Sequence, residues 1–183
     1  SFFVVAALAS VSSSAVSDIY LADPFVTEQG IVNQIKISFE GQYTGSQVLV
    51  MLDQGSVYQQ TPFGATIAPS QALVTAFPDL ANDSFVTQGG STSDTSQGAV
   101  GVGGGAVNIG GESDAVWGTD GLNQAWNPAP GVTILDQSDF LTTQITFSPD
   151  AVGTWRYLGS ADGTFGVISG RIGDEGDGGT NFG

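Results

Sequence analysis

Residues 31–39 alternate without a break: Ile31, Asn33, Ile35, Ile37 and Phe39 fall on one side, and Val32, Gln34, Lys36 and Ser38 on the other. A period of two suits a strand with one buried face, whereas a helix needs a period of 3.6. Similar runs recur. Val48-Leu49-Val50-Met51-Leu52 is continuously apolar, as expected of a central strand covered on both faces. A further strand can follow at 56–60, after the Asp53-Gln54-Gly55 turn. Leu141, Thr143, Ile145 and Phe147 share one face of a strand at 140–147, and strands are expected at 132–135, 153–159 and 164–169. Turn residues punctuate these runs at Asp23-Pro24, Gln29-Gly30 and Asn127-Pro128-Ala129-Pro130-Gly131, and Gly41 to Ser46 reads as a hairpin connection. Gln71 to Phe77, between Pro69 and Pro78, suits either a short strand or one helical turn. No segment carries a long amphipathic helical pattern. Short strands without long helices predict an all-β chain, an antiparallel β-sandwich of jelly-roll or Ig-like topology. Its long connections favour the jelly roll.

The first seventeen residues do not fit that body. Phe2, Phe3, Val4, Val5, Leu8 and Val11 make an apolar run that resembles the core of a secretion signal. With no starting Met and no basic residue before Lys36, the segment reads as belonging to an already processed chain. It is too short to span a bilayer. Valines and the Ser12-Ser13-Ser14 stretch disfavour helix, and both alternating faces of residues 2–9 are apolar, so it reads as a strand buried on both sides. The expected organisation is an N-terminal apolar donor strand at 1–17, a β-sandwich at 18–173 and a Gly/Asp-rich tail at 174–183.

Composition narrows the chemistry. The 183 residues hold 18 acidic side chains against 3 basic ones, a formal charge of −15. Lys36, Arg156 and Arg171 are the whole basic set, which disfavours nucleic acid and anionic membranes as partners. Cys and His are both absent, so disulfide, thiolate and imidazole chemistry is excluded. Glu28, Glu40, Glu112 and Glu175 are the only glutamates, and no local motif pairs two of them as a glycosidase would. Neither an enzyme nor a cofactor is expected.

The remaining motifs have plain alternatives. Asn82-Asp83-Ser84 is an N-glycosylation triplet, which makes Asn82 a candidate glycan site, expected with Ser91 to Ser96 in exposed loops. Asp136 with Asp139, and Asp174 with Glu175 and Asp177, offer hard oxygen ligands, but solvated surface charge explains them as well. The glycines of 101–111 lack the β-α-β context of a dinucleotide loop and suit close strand packing. Trp117, Trp126, Trp155, Tyr43, Tyr58 and Tyr157 can serve as a sugar-stacking platform or as core.

An apolar N-terminal strand, a sandwich-like body and no catalytic constellation together resemble the pilin-like subunits of donor-strand extracellular filaments in bacteria and archaea. The chain differs from a type IV pilin, since no early Glu and no long helix follow Phe2-Phe3. The resemblance implies an extracellular or cell-surface structural subunit that polymerises head-to-tail with itself. Phe2, Phe3, Val4, Val5, Leu8 and Val11 would enter the neighbour by β-strand addition, without a membrane span. Two other readings remain: a secreted carbohydrate-binding or surface-adhesion module, and a tail that folds back as an edge strand of its own body.

Overall fold

A computed structural model of the chain describes residues 15–103, 117–118 and 120–173. The strands are β1 (Val16–Leu21), β2 (Phe25–Val26), β3 (Ile31–Gln54), β4 (Phe85–Gly89), β5 (Val100–Gly103), β6 (Trp117–Gly118), β7 (Gly121–Pro128), β8 (Leu135–Phe147), β9 (Val152–Ala161) and β10 (Thr164–Ile172). One short helix, α1 (Gln71–Ala76), and a 3₁₀ turn at Pro78–Asn82 lie between β3 and β4. The ten strands form one hydrogen-bonded sheet whose ladders are antiparallel, so the chain is all-β.

The sheet is organised by β3, which is 24 residues long. Its first half pairs with β1 and β2 on one side and β8 on the other. Its second half pairs with β9 and β7. The hairpin expected at Gly41 to Ser46 is therefore a bend, and the strand continues through it. A hairpin would require the two halves to pair with each other, but each has other partners. Register slips against β8 between Phe39 and Gln42, and against β9 between Tyr43 and Gly45, mark the bend. Gly41 (φ 79°) supplies the left-handed backbone that such a bulge uses.

Side chains from both halves share one buried cluster. Ile35, Ile37 and Phe39 of the first half and Val48 and Val50 of the second meet Ile145, Phe147, Trp155 and Tyr157. Within it, the Tyr43 hydroxyl bonds Ser46 Oγ at 2.7 Å, and Ser46 Oγ lies 2.6 Å from the Tyr157 hydroxyl. Both phenols are pushed to higher pKa, chiefly by burial. They stay neutral and act as hydrogen-bonding core residues.

Residues 141–147 of β8 are buried throughout, including Thr142, Gln144 and Thr146. The segment 81–85 satisfies much of this polar row. Gln144 Nε2 donates to the carbonyls of Ala81 and Asp83, both at 2.9 Å, and Thr146 Oγ1 donates to that of Asn82 at 2.6 Å. The ambiguous stretch after Pro69 resolves as helix: Ser70 caps α1, its Oγ accepting the Leu73 N–H at 3.3 Å. Strand β7 has no counterpart among the sequence-based strands, because Asn123, Gln124 and Asn127 hide its alternation.

Candidate assembly surface

The apolar residues Phe2, Phe3, Val4, Val5, Leu8 and Val11 lie outside the described residues, but the point where their segment joins the body is clear. Ala15 donates its N–H to Thr164 Oγ1 at 3.2 Å, and its carbonyl accepts the Glu40 N–H at 2.8 Å. Strand β1 begins at Val16, ahead of Asp18. The tail is thus rooted beside the first residue of β10.

Exposed strand edges invite pairing with other chains, and proteins guard them with bulges, charges, proline or a covering segment. Most edges of this sheet are guarded. The β1 and β2 edge carries a bulge between Val16 and Asp18, two aspartates and Pro24. On β4, the Val86 N–H donates to Thr66 at 2.9 Å and the Val86 carbonyl accepts the Ala68 N–H at 3.1 Å, so residues 66–68 cover it. β5 has four residues, two of them glycine.

β10 is different. It is nine residues long, pairs with β9 without a register slip, and has no other strand partner among the described residues. It contains no proline and no acidic residue, and its one charge, Arg171, comes next to last. The β9–β10 turn is Asp162-Gly163, with φ of 44° and 74°, the pattern of a two-residue hairpin with both central residues left-handed. The flanking pair Ala161 and Thr164 then exchanges hydrogen bonds, as does every second pair along the ladder. Phe165, Val167, Ser169 and Arg171 therefore direct their N–H and C=O away from β9.

The same four side chains lie on the outer face of the sheet, where Phe165 is 66% exposed and Val167 50%. Nearby, Leu49, Met51, Thr154, Arg156, Ser169 and Arg171 line a cleft of about 360 Å³. Two of the chain's three cations thus stand on this face of a molecule with a formal charge of −15. On its inner face β10 packs against β1: a Cβ on Gly166 would lie 2.8 Å from Ile19 Cδ1.

The other sequence candidates are dispersed. Asn82 ends the 3₁₀ turn, half-buried, and its Nδ2 donates to Gln29 Oε1 at 2.9 Å. The hydroxyl of Ser84 is buried and accepts the Thr146 N–H at 2.9 Å. Ser91, Ser93 and Thr95 are exposed, whereas Thr92 is buried. Asp136 Oδ1 accepts the Gly41 N–H at 2.7 Å, and Asp139 Oδ1 accepts the Tyr20 hydroxyl at 2.5 Å. That bond to Asp139, ahead of burial, pushes the Tyr20 phenol up to about 12. Among the described residues no group of three or more acidic side chains could hold a metal. Tyr43, Trp126, Trp155 and Tyr157 are buried in the core, so they form no stacking platform for a sugar. Tyr58 is half-buried. Glu28 and Glu40 are exposed. Glu112, Asp174, Glu175, Asp177, most of the 101–111 glycine run and the side chain of Trp117 lie outside what is described.

No helix among the described residues is long and apolar enough to cross a membrane. No family model, curated protein or solved structure matches the chain. The β10 edge, which lacks a second strand partner among the described residues, was not legible in the sequence because which strand lies outermost depends on pairing order. The signal available was Asp162-Gly163 followed by a last strand with no proline and no acidic residue.

Proposed function

We propose that the chain is the structural subunit of an extracellular filament and polymerises when its N-terminal strand enters a neighbouring copy. On this reading the body is a β-sandwich, its two layers being the two halves of the sheet joined through the bend in β3. The observation that carries the proposal is β10, an edge strand with no proline, no acidic residue and no second strand partner among the described residues, in a body whose other described edges are bulged, covered or short. A strand addition supplies main-chain hydrogen bonds and needs no catalytic group. Because the donor segment and the acceptor edge are different surfaces, the contact is heterologous and extends into a fibre.

Deleting residues 1–14, which leaves β1 intact, is expected to give soluble monomers by sedimentation and no fibres by negative-stain microscopy. In the full chain, Val5→Asp is expected to block assembly, since it would bury an unpaired charge at a cost of several kcal/mol. Ser13→Asp, in the polar stretch near the body, is expected to have a small effect. Fibres of unchanged diameter from the deleted chain, or equal effects of the two substitutions, overturn the reading.

A further inference from the structure

Resting on that reading, we propose that the acceptor is the open edge of β10, and that residues 2–11 of a second copy add there antiparallel to β10. Four observations converge. The outward N–H and C=O groups of Phe165, Val167 and Ser169 form a regular ladder with no strand partner among the described residues. The lengths agree, since ten tail residues and the nine of β10 each extend about 30 Å at roughly 3.3 Å per residue. Neither strand puts a charge in the middle of the pairing: the tail has none before Asp18, and β10 none before Arg171. Every ladder of the sheet is antiparallel, so a strand of that polarity continues its pattern.

The occupant is a second copy because the tail is apolar on both faces. Once paired with β10, one face of the tail continues the inner row of Gly166 and Ile168 toward the core. The other lies beside Phe165 and Val167, which are exposed on a lone chain. A chain's own tail would leave Phe3 and Val5, or Phe2 and Val4, in water on that outer side. A neighbouring copy brings its body with its tail and can cover the outer row.

The test uses full chains. Val167→Pro removes an N–H that points away from β9, so the β9–β10 ladder survives while the added strand loses a donor and meets the proline ring. Ser169→Lys is the second variant, guarding the edge with charge without changing the backbone. Both are expected to keep the wild-type circular dichroism and to raise the concentration needed for fibres at least tenfold. Val167→Pro keeps an intact tail, so added to wild type it should cap growing ends and shorten the fibres. If Val5→Asp blocks assembly while both β10 variants polymerise as wild type, the tail is the donor and β10 is not its acceptor. If Val5→Asp also polymerises normally, the tail is not the connecting strand, and both the strand-insertion reading and its β10 acceptor fail. A wild type that stays monomeric, with Val5→Asp and Ser169→Lys lowering Tm alike, identifies the chain's own tail as the occupant and overturns the proposal.

Discussion

Gln42 and Asp162 hold each other by two hydrogen bonds: the Gln42 N–H donates to Asp162 Oδ1 at 3.0 Å, and the Asp162 N–H donates to the Gln42 carbonyl at 2.9 Å. The pair ties the bend in β3 to the β9–β10 turn. Beside it, Asp136 takes the N–H of Gly41. Two aspartates from distant parts of the chain thus satisfy consecutive amides at the point where β3 leaves one half of the sheet for the other.

A side chain at position 41 should break this arrangement. A Cβ there would lie 1.8 Å from Asp162 Oδ2, on a backbone with φ of 79°. Gly41→Ala must displace the carboxylate and accept a strained conformation, an expected loss of about 2–4 kcal/mol. In a chain already carrying Asp162→Gly the clash is gone, so the same substitution should cost only the strain, about 1 kcal/mol. Denaturant melts of the two single variants and the double variant measure this coupling, and strict additivity would show that the carboxylate does not define the bend.

Asp83 makes stability depend on pH. Its side chain is 1% exposed, and burial pushes its carboxyl up to about 6, although backbone N–H groups, among them that of Gln60 at 2.9 Å, pull the other way. Between about pH 4 and pH 6 the folded chain binds this proton more tightly than the unfolded chain does, so Asp83's contribution to stability falls as pH rises through that window. The loss is complete above pH 6 and on the order of 2–3 kcal/mol. Melts of Asp83→Asn against wild type should differ in slope across this window and run parallel above it. Parallel profiles throughout would show that burial does not raise this group.

Gln88 is fully buried and neither its Nε2 nor its Oε1 has a hydrogen-bond partner. Its backbone carbonyl, which accepts the Gln97 N–H at 2.7 Å, does not depend on the side chain. Gln88→Met keeps the length and removes two stranded polar atoms, so it should stabilise the chain by about 1 kcal/mol, or a few degrees in Tm. A lower Tm would mean that the amide has a partner in solution, such as a buried water.

The all-β character was legible because alternation is local: Ile31 to Phe39 and Leu141 to Phe147 show it within nine residues. The course of β3 was not. Gly41 and Gly45 suit a hairpin as well as a bulged bend, and the choice rests on which strands flank each half. Strand β7 was missed because its polar residues follow sheet pairing rather than a simple burial alternation. Gln47 and Asn123, one on each of two adjacent strands, bond each other at 2.8 Å and are both buried. Asn82 read as a loop residue, yet Gln29, 53 positions away, accepts its amide.

The residues alone therefore settled that the chain forms strands, lacks thiol and imidazole chemistry, and begins with an uncharged segment apolar on two faces. These follow from side-chain chemistry and from periods of a few residues. Only the tertiary structure decided which strand lacks a second partner among the described residues, because an edge is defined by the strand that is missing from it. β10 shows no Pro and no acid in sequence, but its exposure depends on β9 taking one side and on no described strand taking the other. That is a matter of long-range pairing order, which local periodicity does not encode.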